Sequence, residues 1–353
     1  MSNGTNEQPL KITLDDLANV VVPESMPQVI GTVDASGQRS YGTITDAADK
    51  APAVAEESGS FLLQGWFYLG SAGLLGSVGA WSICEHAFVD GPGHRWGNFL
   101  MIPLILTFMC LGFGIAESIV ERSLKKALLR GAMALPLGFV LGFIFDRIAG
   151  IIFLIAVSIC AELGVQTYRN PAFWIARGLA WTVFGAAGGL VYGIVGQSLK
   201  KAKYGILGGI IGAGLGGIIF DPISMATNGG APSRAVGFAL VGVATGVAMG
   251  FVESALKDRW LYVTSGPLAG KQFILYKNQT VIGSEQQCDI YLFKDPTILA
   301  QHALIMMNGS RMLLRALSQV YVGGVPVQQR VLQDGDLIQI GRYAFRYKER
   351  HRS

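Results

Sequence analysis

Six long apolar runs, at 61–84, 97–120, 129–146, 174–197, 204–222 and 234–254, constrain this chain more than any other feature. Each is close to the ~20 residues with which a helix crosses a bilayer. A water-soluble chain would break such runs with charge, at about a quarter of its residues. Here only 15% of the 353 residues are charged. A seventh run, Ile148–Leu163, follows the third directly. It reads either as a re-entrant or interfacial segment or as the continuation of one long tilted helix.

Glycine is the second signature. There are 47 in the chain, concentrated in the apolar runs and without a Gly-X-Y period. Gly185, Gly189 and Gly193, then Gly208, Gly212 and Gly216, then Gly242, Gly246 and Gly250, each recur at four-residue spacing. That spacing stacks them on one helix face, where backbones can touch and van der Waals packing replaces the hydrophobic drive that lipid does not supply. These nine are predicted helix-packing positions, within one bundle or in an oligomer. A glycine-lined transport path is the alternative use of the same stripes.

An internal repeat organises the spans. Ser123-Leu124-Lys125-Lys126-Ala127 recurs as Ser198-Leu199-Lys200-Lys201-Ala202, and the following helices close on Gly142-Phe143-Ile144-Phe145-Asp146 and Gly217-Ile218-Ile219-Phe220-Asp221. The unit is a helix, a basic turn and a second helix, present in two and a half copies behind one extra helix. The three basic turns, at Arg122–Lys126, Lys200–Lys203 and Lys257–Arg259, fall on one side, which the positive-inside rule makes cytoplasmic. Six spans then bring both termini to that side. Such a bare bundle fits a prokaryotic cytoplasmic membrane, with the lipid bilayer as its first partner.

Three domains are expected: residues 1–57 as a polar, disordered arm, 58–257 as the Gly-rich transmembrane repeat, and 258–353 as an all-β sandwich. From Trp260 the pattern turns to short alternating runs broken by turn residues, the signature of a sandwich. Its turns carry, in order, Gly266-Pro267-Leu268-Ala269-Gly270, Val281-Ile282-Gly283, Cys288-Asp289-Ile290, Asp295-Pro296, Gln301-His302-Ala303, Leu332-Gln333-Asp334-Gly335-Asp336 and Ile338-Gln339-Ile340-Gly341. In that order and spacing the segment 260–349 resembles the forkhead-associated (FHA) family. The resemblance implies loops at one end of the sandwich that receive a phosphothreonine peptide.

The family's Ile-Gly-Arg stands here as Ile282-Gly283-Ser284, its Ser-Arg-x-His as Leu299-Ala300-Gln301-His302, and its Asn-Gly as Gly323-Gly324. The implied peptide-binding positions are therefore Ser284, Leu299, Ala300 and Gly323, in degenerate form. Gly283 and His302 keep the family's loop-bracing types. A hydrogen bond to a charged group contributes about 1.5–3 kcal/mol. Losing the Arg and the Ser together removes roughly 3–5 kcal/mol, or two to four decades of affinity.

No P-loop, G-x-S-x-G, H-E-x-x-H or kinase signature occurs, so no enzyme activity is expected. Cys84, Cys110, Cys160 and Cys288 have no metal-like spacing, and His302 has no ligand partner near it in sequence, so neither metal nor cofactor is expected. The net charge of +4 is scattered, which argues against nucleic acid. The expectation is a membrane-anchored scaffold or signalling protein that meets a cytoplasmic protein, phosphorylated or not. The alternative is a small channel or transporter regulated by its FHA-like domain. Within the spans, Asp146, Asp221, Arg177, Arg234, Glu117 and Glu121 are the ionisable candidates.

Overall fold

The computed structural model describes residues 32–33, 39–40, 57, 59–90, 95–165, 169–227 and 229–350. The chain divides into two compact units, Met1–Lys50 and Ala51–Ser353. The expected disordered arm falls mostly outside the described residues. Within it, Thr32–Val33 (β1) pairs antiparallel with Arg39–Ser40 (β2), a ladder that the polar composition did not predict. The intervening sequence, Asp34 to Gln38, is rich in turn-forming residue types.

In the second unit, a 3₁₀ turn at Phe61–Leu63 leads into six helices: α1 (Gly65–Glu85), α2 (Trp96–Val120), α3 (Leu124–Glu162), α4 (Pro171–Val195), α5 (Leu199–Ala226) and α6 (Gly230–Leu256). All six are long and apolar enough to cross a membrane. Each packs on the next in sequence, α1 packs on α6 to close the ring, and α2 also touches α4. The repeat holds at the level of single residues. Helices α2 and α4 are both 25 residues long and start and stop at a constant displacement (96 to 171, 120 to 195).

The tight turns repeat too. After α2, Arg122 takes φ +54°, and after α4 its equivalent Gln197 takes φ +52°. In each, the C″ amide reaches back to the C3 carbonyl (Ser123 to Ser118, 2.9 Å; Ser198 to Gly193, 3.1 Å), which is a Schellman closure. The same serine then caps the next helix, its Oγ accepting from the amide of Lys126 or Lys201. One residue thus ends one span and starts the next.

The third span selects between the two readings of 148–163. Helix α3 runs unbroken for 39 residues, about 58 Å at 1.5 Å per residue, so 148–163 continues it and is not re-entrant. Asp146-Arg147 interrupts the hydropathy, but both residues are tolerated in a helix and the two pair with each other at 3.2 Å. No proline stops the helix there. Its distal half carries exposed Ile148, Ile151, Leu154, Ile155 and Ile159.

The nine glycines all meet neighbouring helices of the same chain. A Cβ at Gly185 or Gly189 would collide with the backbone of Gly209 or Gly205, and at Gly193 with Ala202. Gly208, Gly212 and Gly216 press α5 on α6 at Met249, Ala244–Thr245 and Val241. Gly242, Gly246 and Gly250 press α6 on α1 at Gly73, Leu69 and Trp66. Between these contacts the bundle holds a void of about 20 Å³ lined by Ile105, Met109, Trp181, Phe238 and Val241 among others. That is room for about one water, and the lining is almost wholly apolar.

Residues 259–349 form a two-sheet sandwich. One sheet has the order β10-β9-β12-β13-β3-β4 and the other β11-β8-β7-β5-β6. The strands are β3 (Arg259–Ser265), β4 (Gln272–Ile274), β5 (Gln279–Gly283), β6 (Ile290–Tyr291), β7 (Ala303–Asn308), β8 (Arg311–Ala316), β9 (Tyr321–Val322), β10 (Val325–Pro326), β11 (Gln329–Val331), β12 (Leu337–Ile340) and β13 (Tyr343–Glu349). Alternate residues such as Leu261, Val263, Ile282, Ile305, Leu314, Ile338, Phe345 and Tyr347 fill the space between the sheets. The strands β9, β10 and β11 are only two or three residues long.

Candidate interaction site

Two sets of residues stand out around the sandwich. The first is the loop cluster at the ends of β5, β6 and β7. Ser284 follows β5, and its amide donates to the Leu299 carbonyl at 2.9 Å, while the Glu285 amide donates to Ala300 at 3.2 Å. This approach requires glycine at 283, where any Cβ would strike the Ala300 carbonyl. His302 is 2% exposed. Its Nδ1 accepts from the Leu299 amide (3.1 Å), which leaves Nε2–H to donate to the Gln319 carbonyl (3.0 Å). One ring therefore ties the 295–302 loop to the loop before β9.

Asp295 pins the same loop from the other side. Its carboxylate accepts from the Thr297 amide and hydroxyl (3.0 and 2.6 Å) and from the Arg342 amide (2.9 Å). Partial burial pushes this carboxyl up, but the bonds from Thr297 and Arg342 outweigh it and hold it below the usual aspartate range.

Ser284, Leu299, Ala300, Gly283 and His302 thus come together. Gly323 lies on the other sheet, in the β9–β10 turn, where Gly323 and Gly324 have φ of +61° and +82°. Two consecutive left-handed residues make this a tight hairpin turn that glycine favours. The exposed side chain at the centre of the cluster is Leu299, 51% accessible. No cation occupies position 284, so the loops offer a hydroxyl and an apolar surface where the family resemblance would place a phosphate clamp.

The second set seats the sandwich on the basic-turn end of the bundle. Lys271 Nζ reaches Glu121 Oε1 at the end of α2 (2.7 Å), with both side chains only 2% exposed. Lys126 Nζ bonds the other Glu121 oxygen (3.2 Å) and the Asp289 carbonyl (3.2 Å). Ser123 Oγ donates to the Gln286 carbonyl (3.3 Å), and the Gln286 side chain accepts from the Lys125 amide (3.2 Å). On α6, Glu253 accepts from Tyr192 Oη (3.2 Å) and from Tyr276 Oη of the sandwich. Burial, and after it the charge of Glu253, pushes the Tyr276 hydroxyl well above its usual range, so it remains a donor. Residues ahead of α1 join in, with the Glu57 amide donating to Thr264 (2.8 Å) and Gln64 Nε2 to Gly270 (3.1 Å).

The ionisable residues noted within the spans all find partners. Glu117 takes Lys201 (2.7 Å) and Arg130 (2.9 Å), and Arg177 grips Asp221 with both oxygens at 2.9 Å. Arg234 bonds Glu85 (2.5 Å) and Asp90 (2.6 Å) at the end of the bundle opposite the sandwich. Sequence reasoning did not single out Lys271, Glu253 or Tyr276, and it read Lys201 only as part of a basic turn. One signal was available, since the repeat register makes Glu253 the equivalent of Glu121 and both turn toward the sandwich.

Residues 262–351 match the family described as the inner membrane component of T3SS, cytoplasmic domain. The oxoglutarate dehydrogenase inhibitor of Corynebacterium jeikeium is 36% identical over 86 residues, covering 24% of this chain and 59% of that protein. The glycogen accumulation regulator GarA of Mycolicibacterium smegmatis is 35% identical over 86 residues, covering 24% and 54%. The chain thus spans little more than half the length of these curated relatives. The solved FHA domain of the CT664 protein from Chlamydia trachomatis is 26% identical, covers 27% of this chain and 100% of that chain, and has a TM-score of 0.25.

Proposed function

Starting from a C-terminal sandwich that is a forkhead-associated domain and an N-terminal part that is a six-helix membrane bundle, we propose that this chain is a membrane-anchored interaction scaffold and not an enzyme. The observation that carries the reading is the seat itself. A buried ion pair from α2 and hydrogen bonding from α6 fix the FHA domain to the bundle, while Leu299 and Ala300 at its recognition loops stay exposed. A rigidly mounted domain with open loops suits presenting a surface to a protein partner. The densely packed bundle interior supports an anchor over a conduit. Because the nine packing glycines are used inside the chain, oligomerisation through those faces is not favoured.

The basic turns on the sandwich side support a cytoplasmic FHA domain with both termini on the same side. The partner is then a cytoplasmic protein recognised through contacts other than an ordinary phosphothreonine clamp, since Ser284, Leu299 and Gly323 replace the clamp's residue types. The test is phosphothreonine-peptide binding by the full chain in detergent. The native protein is expected to bind about two to four decades more weakly than the Ser284→Arg, Leu299→Ser, Gly323→Asn variant. Native binding as tight as the variant's would overturn the degenerate-site reading and leave the scaffold as a phosphothreonine reader.

A further inference from the structure

A cavity of about 470 Å³ opens between the sandwich and the bundle, a size typical of small-molecule sites. Its bundle wall is the start of α3 with the end of α4, and its other wall is the β4–β5 segment of the sandwich. Five cations line it, namely Lys125, Lys126, Arg130, Lys201 and Lys277, against three carboxylates. The carboxylates are engaged: Glu121 by Lys126, Asp289 by Lys277 at 2.8 Å, and Glu117 by both Arg130 and Lys201. Sharing Glu117 between two cations, with no carboxylate on Lys125 among the described residues, leaves the wall two charges positive.

The order of side chains along α3 adds a second constraint. Lys125, Leu129 and Met133 all line the cavity at four-residue spacing, so they lie along one helix face. The cation sits at the helix's basic end, and the apolar residues run from it toward the bilayer interior, with Val195 of α4 also lining the cavity. Leu129 is 64% exposed. A free anion would use only the first of these features, whereas a head group followed by a chain would use both.

We infer that this cavity binds the head group of an anionic phospholipid, its phosphate beside Lys125 and Lys277 and an acyl chain along Leu129 and Met133. Clusters of basic residues between membrane helices on the cytoplasmic side are suited to anionic head groups. The site is built from both domains, so the lipid would sit beneath the FHA domain whatever the recognition loops bind. The inference rests on the membrane assignment and not on the partner proposed above.

The test is native mass spectrometry of the full chain released from vesicles with equal phosphatidylglycerol and phosphatidylcholine. The native protein is expected to retain phosphatidylglycerol selectively, and Lys125→Ala with Lys277→Ala to lower that retention by about tenfold or more. Arg147→Ala, at an exposed cation away from the cavity, should leave it unchanged. Should the double variant not fold, Lys125→Gln alone is read, because its exposed side chain carries no ion pair among the described residues. Equal retention of the two lipids, or undiminished selectivity in the variant, overturns the inference. Displacement of the lipid by millimolar inorganic phosphate also overturns it, by making the cavity a free-phosphate site.

Discussion

At the scale of single residues, the Glu121–Lys271 pair decides whether the two domains hold together. Each partner is buried and so has lost its water; removing Glu121 strands the Lys271 ammonium at a cost of about 3–5 kcal/mol, whereas removing Lys271 costs less because Glu121 keeps Lys126. Lys271→Ala or Glu121→Ala is therefore expected to loosen the FHA domain, read as faster proteolysis near residue 258 and a lower Tm of the full chain. Lys271→Met combined with Glu121→Leu should recover part of the loss seen in Glu121→Ala, because it removes the stranded Lys271 charge and keeps the volume, while Lys126 retains only the Asp289 carbonyl. Asp295 gives a second, pH-dependent case. Its folded pKa lies below that of a free aspartate, about 3.9, so its contribution is present above that pH and is lost as pH falls through the lower folded value. The protection of residues 295–302, taken relative to intrinsic exchange, which itself slows in acid, should therefore fall on acidification in the native chain and be flatter with pH in Asp295→Asn. Glu117 was visible in the sequence as an intramembrane charge. Its pairing with Lys201, a residue read only as part of a basic turn, was not, because the ion pair joins a helix of one repeat to a helix of the next, and a spacing rule within one helix cannot reveal it.

At the scale of elements, the repeat was the most readable part of the chain, because each basic turn must do the same three jobs in three residues. The Schellman closure, the left-handed residue and the serine cap recur at 121–123 and 196–198. The left-handed position is occupied by Arg122 and Gln197, both carrying a Cβ that resists this conformation by roughly 1–2 kcal/mol. Gln197→Gly should accordingly raise the Tm, by the equivalent of about 1 kcal/mol, with no change in topology. The glycine stripes predict the opposite sign. Gly189→Leu must push α5 away from α4 at Gly205, whereas Gly150→Leu meets nothing within 4 Å. Loss of thermal stability is expected for the first and little change for the second. The sequence offered a long α3 as one of two readings but could not choose it, because hydropathy registers the Asp146-Arg147 pair as a boundary while the backbone does not.

At the scale of the whole molecule, the sequence separated a membrane part from an FHA-like part but said nothing about how they meet. Their mutual placement depends on pairs far apart in the chain, Glu121 with Lys271, Glu253 with Tyr276 and Ser123 with Gln286, that no local pattern encodes. It is also what separates a mounted scaffold from a domain on a loose tether, since only a seated domain holds its recognition loops at a fixed height above the bilayer. The Ser123–Gln286 contact tests this directly, because it joins the α2–α3 turn to the loop that begins with Ser284. With Ser123→Cys and Gln286→Cys in the full chain, mild oxidation in membranes should form a disulfide within one molecule. The four native cysteines are buried and free, so they offer little competition. A pairing of Cys at 123 with Cys at Leu299, which is exposed at the recognition loops, should form much more slowly. Comparable rates for the two pairs would mean that the FHA domain samples many orientations, and the scaffold would then act as a tethered module and not as a fixed platform.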